Sequence, residues 1–164
     1  MQYKKNLGQH FLIDQNIVDK LVRYINPSQN DEIIEIGPGE GVMTKSIIKK
    51  VKKMILIEKD IDLIENLKNN FSESYNSSII NIDFLKYNLD ELNKPMRIIG
   101  NLPYNISTEI IFKMCNCNKI IDMHFMLQKE VVDRIIAESN SKIYGRLSIM
   151  AQAYFNVKKL FDIS

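Results

Sequence analysis

Short β-branched runs alternate along this chain with stretches of about ten residues at helical spacing, and that alternation limits the fold more than any other feature. The first run, Glu32-Ile33-Ile34-Glu35-Ile36, is halted by Gly37-Pro38-Gly39-Glu40-Gly41, so it reads as a strand entering a glycine turn. Before it, Ile13, Ile17, Val18, Leu21, Val22 and Ile25 recur at helical spacing from Asp14, a plausible N-cap, to Pro27. After it, the pattern predicts a helix over Val42 to Lys50, a strand over Met54 to Glu58 and a helix over Ile61 to Asn70. Strands follow over Ser78 to Ile82 and Met96 to Gly100, then a helix over Ile106 to Cys115 and a strand over Ile121 to Leu127. Helices over Glu130 to Glu138 and Leu147 to Tyr154 and a last strand over Asn156 to Phe161 complete the reading. Strands separated by helices imply βαβ units: an α/β fold with a parallel sheet covered on both faces. No repeat or linker interrupts it, and Ser139-Asn140-Ser141-Lys142 is the most loop-like segment. One domain is expected over 1–164, with 1–27 as an N-terminal motif and helix and 28–164 as the core.

Composition agrees with that class. The 164 residues are 45% apolar and 26% charged, enough for one core. No run of 18 apolar residues exists, so no membrane helix is expected, and the N-terminus shows no secretory leader. Cys115 and Cys117 are one residue apart, and with His10 and His124 they form no spaced metal-ligand set. Reduced structural cysteines, no metal and a reducing compartment are expected. The net charge of +2 is too small to announce nucleic acid by itself. The positions from Lys45 to Lys53 do hold five lysines in nine residues, which alone read as a solvated helix face.

In sheets of this kind ligands bind outside the carboxyl ends of the strands, so the turns after the strands carry the chemistry. The first turn is G-x-G-x-G with Val42 where a dinucleotide-binding turn needs glycine, and no phosphate-cradling G-x-x-x-x-G-K-[ST] occurs. Glu58, 21 residues after Gly37, ends the second strand, where a carboxylate can accept from both hydroxyls of a ribose. Asp83, after the third strand, can accept from an adenine amino group. The fourth turn, Asn101-Leu102-Pro103-Tyr104, says most. The N6 of adenine is a weak nucleophile because its lone pair is delocalised into the ring. The Asn101 side-chain oxygen and the Leu102 carbonyl can accept its two hydrogens and draw it toward sp³ geometry. Pro103 fixes the backbone, and Tyr104 offers a flat face for a base taken out of its stack.

At this point the chain resembles the ribosomal RNA adenine N6-dimethyltransferase family of class I, S-adenosylmethionine-dependent methyltransferases. It is closer to the small-subunit type known from kasugamycin resistance than to the antibiotic-resistance enzymes acting on large-subunit RNA. The resemblance rests on Leu7-Gly8-Gln9-His10-Phe11-Leu12, Ile36-Gly37-Pro38-Gly39-Glu40-Gly41, Leu56-Ile57-Glu58, Asn81-Ile82-Asp83, Asn101-Leu102-Pro103-Tyr104-Asn105-Ile106-Ser107, Met126-Leu127-Gln128-Lys129-Glu130-Val131 and Tyr144-Gly145-Arg146-Leu147-Ser148. It implies a Rossmann-like core binding S-adenosyl-L-methionine through His10, Leu12, Gly37, Gly39, Glu58, Asp83 and Asn101. Asn101, Leu102, Pro103 and Tyr104 would be catalytic. The family more often has Asn where His10 stands, which makes a backbone contact the safer expectation there.

The implied reaction is the N6-dimethylation of two adjacent adenosines in the 3′-terminal hairpin loop of small-subunit (16S-type) rRNA during ribosome biogenesis. It proceeds by direct in-line transfer, with an immature small subunit as partner. The resemblance makes Lys4, Lys5, Lys49, Lys50, Lys52 and Lys53 candidate phosphate contacts. A monomer in a bacterial-type cytoplasm is implied, with an organelle as the alternative compartment, and with no membrane and no metal. The family's F-x-P-x-P segment and C-terminal helical domain are absent from the sequence, so weak RNA binding and slow or absent transfer are expected. Two other readings share part of the pattern. A DNA adenine methyltransferase would use Asn/Asp-Pro-Pro-Tyr, against which stand Leu102 and the N-terminal Gly-Gln-His-Phe-Leu. A non-enzymatic ribosome-assembly or transcription-type binding module would keep the cofactor as a structural ligand.

Overall fold

The computed structural model describes residues 14–71, 74 and 76–163. The expected roles of Lys4, Lys5, His10 and Leu12 therefore fall outside the described residues. The elements run α1 (Gln15–Ile25), β1 (Glu32–Ile36), α2 (Val42–Ile47), β2 (Lys53–Glu58), α3 (Ile61–Phe71), β3 (Ser77–Asn81), β4 (Met96–Asn101), α4 (Ser107–Cys115), β5 (Ile120–Met126), α5 (Lys129–Ile135) and α6 (Arg146–Tyr154). Every pairing is parallel and the strand order is β3-β2-β1-β4-β5. The order reverses between β1 and β4, which opens a crevice at their carboxyl ends.

The local signals explain the boundaries. The Asp14 carboxylate accepts the Asn16 N–H at 2.8 Å and starts α1. Asn26, at φ +45°, ends it by donating to the Val22 carbonyl, and Pro27 follows. α2 tightens into a 3₁₀ turn over Ile48–Lys50. α5 stops at Ile135, three residues before the expected end, because side chains of α6 take its terminal carbonyls. Ser148 Oγ donates to Arg134 O, and Gln152 Nε2 donates to Ile135 O and Ala137 O.

The strands alternate between two cores. Ile33, Met54, Leu56 and Ile99 pack with Val18, Leu21, Val22, Ile25, Met43, Ile47, Leu67 and Phe71 of α1, α2 and α3. Ile34, Ile36, Ile57, Ile98, Ile110 and Met114 form the opposite core beneath α4. Burying each such side chain contributes about 1.5–3 kcal/mol. Helix α1 thus shares its core with the sheet. Ile111, Val131, Ile135, Leu147 and Ala151 join α4, α5 and α6 in a third cluster.

One expected element is corrected. Residues 156–161 form no strand. Their apolar positions, Val157, Leu160 and Phe161, lack the two-residue alternation a half-buried strand requires. Val157 instead packs on the third cluster. Phe161 stacks on Tyr24 of α1 with ring centroids 5.4 Å apart, under Lys20 Nζ at 4.1 Å.

At the other end of the sheet, Arg97 on β4 is nearly buried and ties four segments together. It holds Asp122 of β5 by two bonds of 2.9 Å and Asp31 at 2.7 Å, and its Nη1 and Nη2 donate to the Asn26 and Ile25 carbonyls.

Candidate functional site

A cavity of about 540 Å³ lies at the carboxyl ends of β1, β2 and β4. It gathers Gly37, Gly39, Glu58, Asp83, Asn101, Leu102, Pro103 and Tyr104, expected from four separate turns. A shallower hollow of about 590 Å³, between the end of α5 and residues 152–157, contains Glu138 as its one carboxylate and no glycine turn.

The floor of the cavity is the glycine turn. Gly37 N–H donates to Ile57 O at 2.9 Å, carrying the β1–β2 ladder one residue past the strand. Gly37 stands at φ +62°, where a side chain is strained, and a Cβ there would meet nothing within 4 Å. Its glycine therefore serves the backbone angle and leaves the space above the turn clear. At Gly41, φ +79°, the constraint is packing: a Cβ would stand 2.4 Å from the Phe71 ring.

Glu58 joins that turn to β2. One carboxylate oxygen accepts the Gly39 N–H at 3.2 Å and the other the Asp60 N–H at 2.8 Å. Burial raises its pKa and the backbone donors oppose that rise without cancelling it. Asp83 behaves in the opposite way. Burial pushes its carboxyl up, but Lys59 Nζ at 2.7 Å and the Leu85 N–H at 3.0 Å outweigh it and the net shift is downward.

The last wall is Asn101 to Tyr104. Leu102 N–H donates to Met126 O at 3.1 Å, its side chain is buried, and the Pro103 carbonyl accepts from the Ser107 N–H at 3.1 Å as the turn enters α4. Tyr104 is 59% exposed at the rim, so it does not fill a core.

Several residues that line the cavity were not singled out as site residues, among them Glu35, Lys59 and Ile163. Glu35 lies in the middle of β1, fully enclosed, with Thr44 Oγ1 donating to it at 2.6 Å. Burial, with a smaller push from Glu58, carries its pKa up to about 7 against the Thr44 bond. An acid flanked by isoleucines within a buried strand was the available signal. Nothing in the spacing of Lys59 announced its contact with Asp83, 24 residues on. Lys49, Lys50, Lys52 and Lys53 are not brought to the cavity. They stand where β2 begins, and the strand carries about 3.3 Å per residue, so Lys53 lies about 16 Å from Glu58. Lys52 is 3.7 Å from Glu32.

Among the described residues no group of three or more His, Cys, Asp or Glu could hold a metal ion, and no helix is long and apolar enough to cross a membrane. Both cysteines are free.

A parallel sheet ordered β3-β2-β1-β4-β5, with its crevice between the first and fourth strands, is the parallel part of the class I methyltransferase sheet. Solved structures of that class superpose on it: a dimethyladenosine transferase from Plasmodium falciparum matches with a TM-score of 0.78 at 28% identity, over 87% of this chain and 52% of that one. The sequence matches the family described as ribosomal RNA adenine dimethylase over residues 1–163, and the chain belongs to that family. The ribosomal RNA small subunit methyltransferase A of Wigglesworthia glossinidia brevipalpis is 49% identical over 98% of this chain and 63% of its own length. The protein of the same name from Hahella chejuensis is 43% identical over 99% and 61%. The chain thus spans about three fifths of the length of the curated relatives it matches.

Proposed function

We propose that this chain carries the cofactor-binding and base-receiving part of an S-adenosylmethionine-dependent adenine-N6 dimethyltransferase acting on small-subunit rRNA. The observation that supports it most is the convergence of the open glycine cradle at Gly37, the Glu58 and Asp83 carboxylates and the Asn101–Tyr104 wall on one cavity. The cradle suits the amino-acid end of the cofactor, Glu58 the ribose hydroxyls and Asp83 the adenine amine. Gly39 shapes the turn. Asn101 lies where the cofactor end and the target base meet. The bound cofactor supplies an electrophilic sulfonium methyl group.

The protein's own work is positioning. The Asn101 side-chain oxygen and the Leu102 carbonyl accept from the target amine, Pro103 holds that carbonyl in direction, and Tyr104 supports the extruded base from one face. A contact to RNA phosphates by Lys49, Lys50, Lys52 and Lys53 would lie a strand length from the reacting base. We place the protein in a bacterial cytoplasm as a monomer acting on immature small subunits.

The test is labelled-methyl transfer to immature small subunits and to duplex DNA. It uses the chain and a version extended to the length of its relatives, each with and without Asn101→Ala. Asn101-dependent N6-methyladenosine in small-subunit rRNA supports the reading. Transfer to DNA alone would replace it with the DNA-methyltransferase reading. Cofactor binding without transfer in the extended form would replace it with a binding module.

A further inference from the structure

The ends of β2 and β3 are locked to each other beside the cavity. Asn81 Nδ2 donates to Glu58 O at 2.9 Å and Lys59 O at 3.2 Å, and the Ile82 N–H donates to Glu58 O at 3.1 Å. These bonds fix the backbone from which the Lys59 side chain leaves. Its ammonium reaches Asp83 Oδ2 at 2.7 Å, while Asp83 Oδ1 accepts the Leu85 N–H at 3.0 Å. Both Lys59 and Asp83 line the cavity. The carboxylate is thus held at both oxygens, from two directions, with its side chain 17% exposed.

That arrangement spends only part of what the carboxylate offers. An ionised carboxylate has about four acceptor positions, and the Leu85 N–H and Lys59 occupy two. An incoming amine can be accepted without displacing either. A carbonyl oxygen presented at the same place would face a negative charge that cannot turn away, because both of its oxygens are tethered. Without Lys59 only the Leu85 N–H would restrain it, and the free oxygen could rotate toward water.

We propose that Lys59 is a positioning residue for base recognition: by holding Asp83 Oδ2 it fixes the carboxylate edge that accepts a 6-amino purine and refuses a 6-keto purine. The proposal rests on the cofactor reading above. It concerns selectivity between bases and not the existence of the site.

The experiment is calorimetric titration of the full chain with S-adenosylhomocysteine and with S-inosylhomocysteine, its 6-keto counterpart. It is run on the unmodified protein, Lys59→Met and Lys59→Arg at low and high salt. The unmodified chain is expected to prefer the adenosyl compound. Lys59→Met is expected to shrink that preference about three- to fivefold at low salt, the scale of an exposed ion pair. The difference is expected to narrow at high salt as the pair is screened, and Lys59→Arg is expected to keep the preference. Lys59 is largely exposed, and a general loss of order would weaken both ligands alike without changing their ratio. An unchanged ratio in Lys59→Met overturns the proposal and leaves the cofactor reading standing, as does equal binding of both compounds by the unmodified chain. Binding of neither overturns both.

Discussion

Replacing Glu35 with glutamine should change how stability depends on pH, and the enclosure of that side chain sets the size of the effect. Glu35 is 2% exposed, and the Thr44 hydroxyl donates to it at 2.6 Å. Its pKa moves from 4.5 to about 7, driven first by burial and further by Glu58. The folded state therefore holds this proton more tightly than the unfolded chain. Its contribution to stability is fully present below about pH 4.5 and is lost as pH rises through about 7. At about 1.4 kcal/mol per pH unit, a shift from 4.5 to about 7 makes the full loss about 3–4 kcal/mol, most of it realised by pH 8. Glutamine keeps the shape and an acceptor for Thr44 but cannot ionise. The stability difference between Glu35→Gln and the unmodified chain should therefore grow in favour of the variant by about 2–3 kcal/mol between pH 4.5 and pH 8. Urea unfolding of both proteins at half-unit pH steps measures it, and taking the difference cancels the other titrating groups. Two stability curves that run parallel across this window would refute the reasoning, since Glu35 would then ionise alike in the folded and unfolded states.

Glu58→Ala should weaken S-adenosylmethionine binding by about 1–3 kcal/mol in calorimetry. It should also lower the urea midpoint, because the Gly39 and Asp60 amides lose their acceptor. Tyr104→Ala should leave the melting temperature nearly unchanged, given a ring 59% exposed, while methyl transfer by the extended form collapses; Tyr104→Phe should retain transfer. Arg97→Met should destabilise by about 3–5 kcal/mol in urea unfolding, since Asp31, Asp122 and the Ile25 and Asn26 carbonyls all lose this donor. Gly41→Ala should cost more than about 1 kcal/mol by the same measurement, from positive φ and a Cβ 2.4 Å from the Phe71 ring together.

Periodicity and breakers made most of the fold legible. Ile33, Ile34 and Ile36 could be read as a strand because β-branching and the glycine turn are local facts. Asp14 and Pro27 bounded α1 for the same reason. Asn156 to Phe161 misled, because apolar content without alternation does not specify pairing. Its aromatic found Tyr24, 137 residues earlier, instead of a neighbouring strand. The site divides in the same way. Glu58 and Asn101 were visible because each ends a strand, and Asp83 because it stands two residues past one; a parallel sheet brings such ends together. The Thr44–Glu35 bond, the Lys59–Asp83 pair and the Arg97 network were not, because they depend on which side chains face each other once the sheet is assembled. Membership in the family came from the motifs taken together, with the turn after β4 the most specific of them.

The β3 edge of the sheet bears on how the protein behaves at high concentration. An open strand edge is a template for another chain to add to. β3 is five residues long and carries Ser77, Ser78 and Asn81. Ser77 Oγ donates to the Phe71 and Ser74 carbonyls, and Asn81 Nδ2 donates to the Glu58 and Lys59 carbonyls. A strand docking against β3 would meet a short polar edge whose side chains are already engaged, which resists open-ended stacking of one molecule on the next.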